Sequence, residues 1–171
     1  DHDVYNMAGT AQIGTSRMET SGFGDFEIGG MASLYKSGAH SVNGLLSVSL
    51  PTGSIEEEGD MLMPSGATAR MRAAYGMQLG TGTYDALPAL TYTYSADKWA
   101  LGVNYKGRIH MGRNDEGYTR GDTHQVQSWA GYRFTDDIGA TGILKARTES
   151  DIAGQDDQIV GASSGANPDN Y

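Results

Sequence analysis

Cysteine is absent from the 171 residues, which removes disulfide frameworks, thiolate-ligated metal sites and thiol nucleophiles from consideration. Proline occurs only 4 times. No run approaches the ~18 apolar residues that a membrane-crossing helix requires. Basic residues are the minority, with 12 Lys and Arg against 21 Asp and Glu for a formal net charge of −9. The basic footprint of a nucleic-acid binder is therefore missing. Low hydropathy does not exclude membrane-crossing strands, which are apolar on one face only. The chain starts at Asp1 with neither initiator Met nor leader, so it reads as mature or trimmed at that end.

What is present is glycine and tyrosine, 25 and 10 residues respectively, with short apolar stretches between them. That balance favours an all-β chain. Six segments of about ten residues alternate apolar with polar, the period of a strand between two environments. In 99–109, Trp99, Leu101, Val103, Tyr105, Gly107 and Ile109 share one face. Ala100, Gly102, Asn104, Lys106 and Arg108 share the other. The remaining segments are 24–36, 41–50, 84–95, 124–134 and 138–148. The last is the least regular, with Ile143 on its polar side. Tight turns at 37–40, 96–98 and 135–137 alternate with long polar loops at 51–83, 110–123 and 149 onward. Short turns on one rim and long loops on the other are the habit of outer-membrane barrels, the short ones periplasmic and the long ones extracellular. Tyr94, Trp99 and Phe134 adjoin tight turns on the apolar face, as a periplasmic aromatic girdle would.

Four stretches carry a family resemblance. They are Gly24–Asp25–Phe26, Ser49 to Ser54 (SLPTGS), Met77 to Pro88 (MQLGTGTYDALP) and Gly112 to Tyr118 (GRNDEGY). Across roughly 24–148 the chain resembles the outer-membrane β-barrel family named for the meta-pathway of phenol degradation, the "transporter" family. The resemblance implies a channel for small, often apolar compounds, and it brings no catalytic residues.

The polar faces divide by sign. Early strands supply Asp25, Glu27 and Asp85; later ones supply Lys106, Arg108, Arg133, Lys145 and Arg147. If this face lines a lumen, acids oppose bases across it and set up a transverse field. The alternative is that these groups pair and plug the interior. Loop 51–83 concentrates Glu56, Glu57, Glu58 and Asp60, a weak candidate for Ca²⁺ or for lipopolysaccharide bridged by divalent ions. A solvated acidic loop is the preferred reading. Met61, Met63, Met71 and Met77 in the same loop are flexible filler before they are a copper site. His110 and His124 flank loop 110–123 and form a minimal metal pair if their strands bring them together. Ser128 and His124 sit ~13 Å apart along one strand, too far for a nucleophile and its base. No G-x-S-x-G element is present, and no enzyme is expected.

The expected fold is thus an all-β, antiparallel up-and-down meander forming all or part of a transmembrane outer-membrane β-barrel. Six strands fall short of the ~8 of the smallest bacterial barrels. The chain accordingly reads as a fragment of a longer one, although segments 7–18 and 158–162 are candidates for added strands and several copies could complete one barrel. The C-terminal residues 167–171 read as loop. The expected function is passage of small solutes through the outer membrane, with no cofactor and no nucleic acid. Outer-membrane lipid, lipopolysaccharide and a small-molecule solute are the expected partners, with a second copy or a surface protein as further options. The second reading is a closed barrel that anchors a surface partner through its acidic loops. A soluble β-sandwich is a third.

Overall fold

The structure is a computed structural model that describes residues 2–159. Candidate segment 158–162 falls mostly outside that range, and so does the end at 167–171. The elements run β1 (His2–Tyr5), β2 (Gln12–Ser16), β3 (Phe26–Ser37), β4 (His40–Leu50), β5 (Glu58–Leu62), β6 (Thr68–Arg72), β7 (Tyr84–Ser95), β8 (Trp99–Met111), β9 (Tyr118–Thr119), β10 (Thr123–Arg133), β11 (Gly139–Glu149) and β12 (Ala153–Gly154). The only helical piece among the described residues is a 3₁₀ turn at Tyr75–Met77. Among the described residues no helix is long and apolar enough to cross a membrane.

The principal sheet has six strands in the order β11-β10-β8-β7-β4-β3, every pair antiparallel. Apart from inserted hairpins this is an up-and-down meander, because each tight turn returns the chain beside the strand it has just left. At the first turn Gly38 has φ +54°, a left-handed conformation that costs glycine little. The six strands coincide with the six alternating segments to within two residues at each end. They do not close into a barrel: β3 and β11 are both free edges among the described residues.

Period-2 alternation fixes two faces. One apolar row crosses all six strands through Ala32, Gly44, Leu90, Tyr105, Val126 and Ala146. A polar row at the loop end runs through Glu27, Ser49, Asp85 and His110. The apolar face has nothing packed on it: Leu46 is 63% exposed and Leu144 77%. The β-bulge at Leu34, between the pairs Ser33↔Asn43 and Tyr35↔Val42, shifts the register by one. Such an extra residue re-aims the strand end beyond it.

The long loops are not loose. Loop 51–83 contains the hairpin β5–β6. The N-terminal segment 7–18 joins β1 to β2 as a second hairpin rather than extending the main sheet. The two hairpins meet where the Leu62 amide donates to Ser16 Oγ at 3.0 Å. The molecule's buried apolar cluster lies among these loops, where Tyr75, Tyr118 and Ile159 pack with Ile152. The Tyr75 and Tyr118 rings meet edge-on with centroids 4.6 Å apart.

Candidate functional site

The four family-like stretches, far apart in sequence, converge at the loop end of the polar face. Asp25 lies just ahead of β3. Its carboxylate accepts the Gly53 amide at 2.9 Å and the Thr81 amide at 2.8 Å. These contacts tie both ends of loop 51–83 to the start of β3. The glycines make the approach possible: a Cβ on Gly80 would stand 2.4 Å from the Gly53 carbonyl oxygen and 2.7 Å from Asp25 Oδ1. Asn114, from the fourth stretch, donates its side-chain amide to the Thr81 carbonyl at 3.2 Å and accepts the Tyr118 amide at 3.1 Å.

Asp85, on β7, is fully buried. Thr83 donates its hydroxyl to Asp85 Oδ1 at 2.6 Å, and Arg108 donates Nη1 to Oδ2 at 2.8 Å. Thr81 Oγ1 stands 3.0 Å from Asp25 and 3.2 Å from Asp85. Its single proton serves one carboxylate at a time. The other nitrogen of the Arg108 fork binds Glu27. Glu27 and Arg108 belong to strands separated by β4 and β7, ~14 Å apart in a flat sheet. A direct ion pair across that span requires the polar face to be concave.

The surrounding groups form a cavity of about 300 Å³ lined by Asp25, Glu27, Thr81, Arg108, His110, Arg120, Arg147 and Glu149 among others. The His110 side chain is buried; Asp122 Oδ1 accepts its backbone amide at 2.8 Å and lies 3.4 Å from Nδ1. Arg147 pairs with Glu149 two residues along β11 at 2.6 Å.

The expected division of charge into opposed walls is therefore partly cancelled by Arg108, which holds Glu27 and Asp85 at once. Asp25 is engaged by loop amides rather than by a base. Lys106 and Lys145 lie on the polar face further from the loops, with no ion-pair partner among the described residues. Arg133 sits at the opposite, tight-turn end, donating to the Asp97 carbonyl at 2.6 Å. At that end the aromatics cluster on the apolar face: Trp99 packs on Tyr132 at 4.6 Å and Tyr132 on Phe134 at 5.2 Å, while Tyr94 meets His40 at 5.0 Å.

Two candidate metal sites do not assemble. His110 faces the polar side with Asp85, whereas His124 is stacked against Tyr105 on the apolar side, its Nδ1 2.8 Å from the Tyr105 hydroxyl. Odd and even strand positions point apart, so pairing of β8 with β10 cannot unite them. In the acidic loop Glu58 is bound to Arg70 at 2.9 Å. Among the described residues no three metal-ligating side chains gather, Glu56, Glu57, Glu58 and Asp60 included. Ser128 lies on the apolar face opposite Val103 and Leu144, away from any base.

Sequence reasoning missed Thr81, Thr83, Arg120 and Asp122, and it also missed a charged knot in the loops. There the buried Arg72 donates to the Ile55 carbonyl at 3.1 Å and lies 3.6 Å from Glu116 and 3.9 Å from Asp156. Tyr75 accepts the Asp156 amide at 3.0 Å on its hydroxyl. Burial pushes the Tyr118 phenol up to about 12, with Asn114 and Arg120 nearby pulling the other way. A Tyr within loop sequence on each side, at 75 and 118, was the available signal.

No curated protein matches the chain. A family profile does match, over residues 3–168, which is nearly the whole length, and the chain therefore belongs to the family described as "Putative MetA-pathway of phenol degradation".

Proposed function

We propose that this chain forms the wall of an outer-membrane channel that passes small solutes without transforming them. The observation that carries the reading is the contrast between the two faces of the principal sheet. Its strands are 11 to 13 residues long, enough to cross a bilayer when tilted, which takes ~9–11. One face is apolar and bare over six strands, a patch that a water-soluble protein would cover. The other is concave and charged. On this reading lipid solvates the first face, water and solute meet the second, and the tight-turn aromatics sit at the periplasmic interface. Lipid and lipopolysaccharide are then the standing partners. The family's description, which speaks of phenol degradation, supports solutes of the size that such degradation consumes.

Reconstitution with graded sugars tests passage. Liposomes carrying the protein are expected to swell with the small sugars and to stop at a size limit. Lys106→Glu with Lys145→Glu, which leaves the Arg108 knot intact, is expected to shift ion selectivity toward cations in planar bilayers. Unchanged selectivity would remove these residues from the path. One observation favours a second reading, a closed anchor for a surface partner: loops 51–83, 112–122 and 151–159 pack together around Tyr75 and Tyr118. A closed anchor gives no swelling with any sugar.

A further inference from the structure

The charges lining the cavity at the loop end cancel in number, Arg108, Arg120 and Arg147 against Asp25, Glu27 and Glu149, but one base is left without a partner among the described residues. Each acid on its lining is already engaged: Asp25 by the Gly53 and Thr81 amides, Glu27 by Arg108 and Glu149 by Arg147. Arg108 and Arg147 are engaged in return. Arg120 also lines the cavity, is half-buried and has no hydrogen-bond or ion-pair partner among the described residues. A second group is left open beside it. The His110 side chain is 2% exposed and its Nε2 has no hydrogen bond. Asp85 Oδ2 lies 3.7 Å from it, beyond hydrogen-bond reach. Nδ1 is directed to Asp122. A cavity of about 300 Å³ is at the lower end of the range for small-molecule sites.

We propose that this cavity binds a small organic carboxylate, with Arg120 holding the carboxylate and His110 Nε2 meeting a second polar atom of the solute. A guanidinium presents a planar fork that matches a carboxylate, and in a half-buried setting such a contact is stronger than its counterpart in open water. A cationic solute would have to displace donors already held by Asp25, Glu27 or Glu149. The inference rests on the channel reading only for its purpose, since the site would select the solutes that the channel admits; binding itself needs no conduction.

The test is a fluorine NMR titration of the full chain, folded in detergent, with 4-fluorobenzoate. The neutral control is 4-fluorobenzyl alcohol. The carboxylate is expected to bind saturably and the alcohol not. Arg120→Gln should weaken binding about tenfold or more, the loss expected when a charged hydrogen-bond partner is removed. Arg120→Lys should recover part of it, and Arg133→Gln, at the opposite end of the sheet and outside the cavity lining, should change it little. Equal binding of the alcohol, or full affinity in Arg120→Gln, overturns the proposal. Gel mobility of the unheated variants confirms folding. Binding that persists without conductance rejects the channel alone; conductance that persists without binding rejects this site alone.

Discussion

Burial of the Asp85 carboxyl is tolerable only because Thr83, Arg108 and, part of the time, Thr81 donate to it. Removing the acid takes the acceptor from Nη1 of Arg108 and from two hydroxyls, while Glu27 keeps Nη2. Breaking a buried pair from one side costs about 3–5 kcal/mol. Because Glu27 still holds Arg108, Asp85→Ala is expected to lower the unfolding free energy read from a urea titration of the detergent-folded protein by less than that, about 1–3 kcal/mol, and Asp85→Asn by less again, because the amide oxygen still accepts. An unshifted midpoint in Asp85→Ala would show that the pair contributes nothing net. Tyr118 makes the opposite case. Its hydroxyl is buried with no partner in good hydrogen-bond geometry among the described residues, so Tyr118→Phe should cost little at neutral pH. The sign of the pH effect follows from the raised phenol, at about 12 against an ordinary value of ~10. The unfolded chain gives up its proton first. The contribution is therefore intact below pH ~10 and declines as pH rises toward 12, by at most about 1.4 kcal/mol per unit. Cleavage of loop 112–122 by a protease active in alkali should accelerate over that interval in the wild type, and less so in Tyr118→Phe.

At the scale of elements, what could be read directly was whatever is local. Alternation in 99–109 places Leu101 opposite in facing to Arg108 because successive side chains must point apart, and no distant partner alters that. The Arg108–Glu27 contact spans 81 residues and depends on sheet curvature, so spacing alone could not reveal it. His110 and His124 show the converse: their strands do pair, as the metal pair required, but strand parity puts the two rings on opposite faces. The loops were opaque for another reason. Loop 51–83 is polar in composition, yet glycine contacts at Gly53 and Gly80 let its two ends close over Asp25. Gly80→Ala puts a methyl group against backbone and should loosen the clasp at a cost of about 1–3 kcal/mol, with faster proteolysis inside 51–83. Gly30→Ala on β3, where a Cβ meets nothing within 4 Å, is the control and should leave both readouts unchanged. Equal behaviour of the two variants would deny the clasp.

At the scale of the whole molecule, the two tryptophans report on opposite faces. Trp99 stands at the tight-turn end of the apolar face and is 50% exposed. Trp129 lies on the polar face, its ring so close over Gly102 that a Cβ there would be 2.0 Å from Cζ2. If hydrocarbon solvates one face and water the other, each tryptophan should respond to a different quencher. With Trp129→Phe, leaving Trp99 as the sole reporter, brominated acyl chains should quench strongly and aqueous acrylamide weakly. With Trp99→Phe the order should reverse, since the Trp129 ring has one side against backbone and the other toward the polar concavity. A soluble sandwich predicts that neither tryptophan senses the bromine and that the protein leaves the membrane in plain buffer. Quenching of both by lipid would mean that the charged face also meets hydrocarbon, which Lys106 and Lys145 could not tolerate without partners at a cost of ~2–4 kcal/mol each near the bilayer midplane. The double readout therefore separates a two-solvent sheet from either one-solvent alternative.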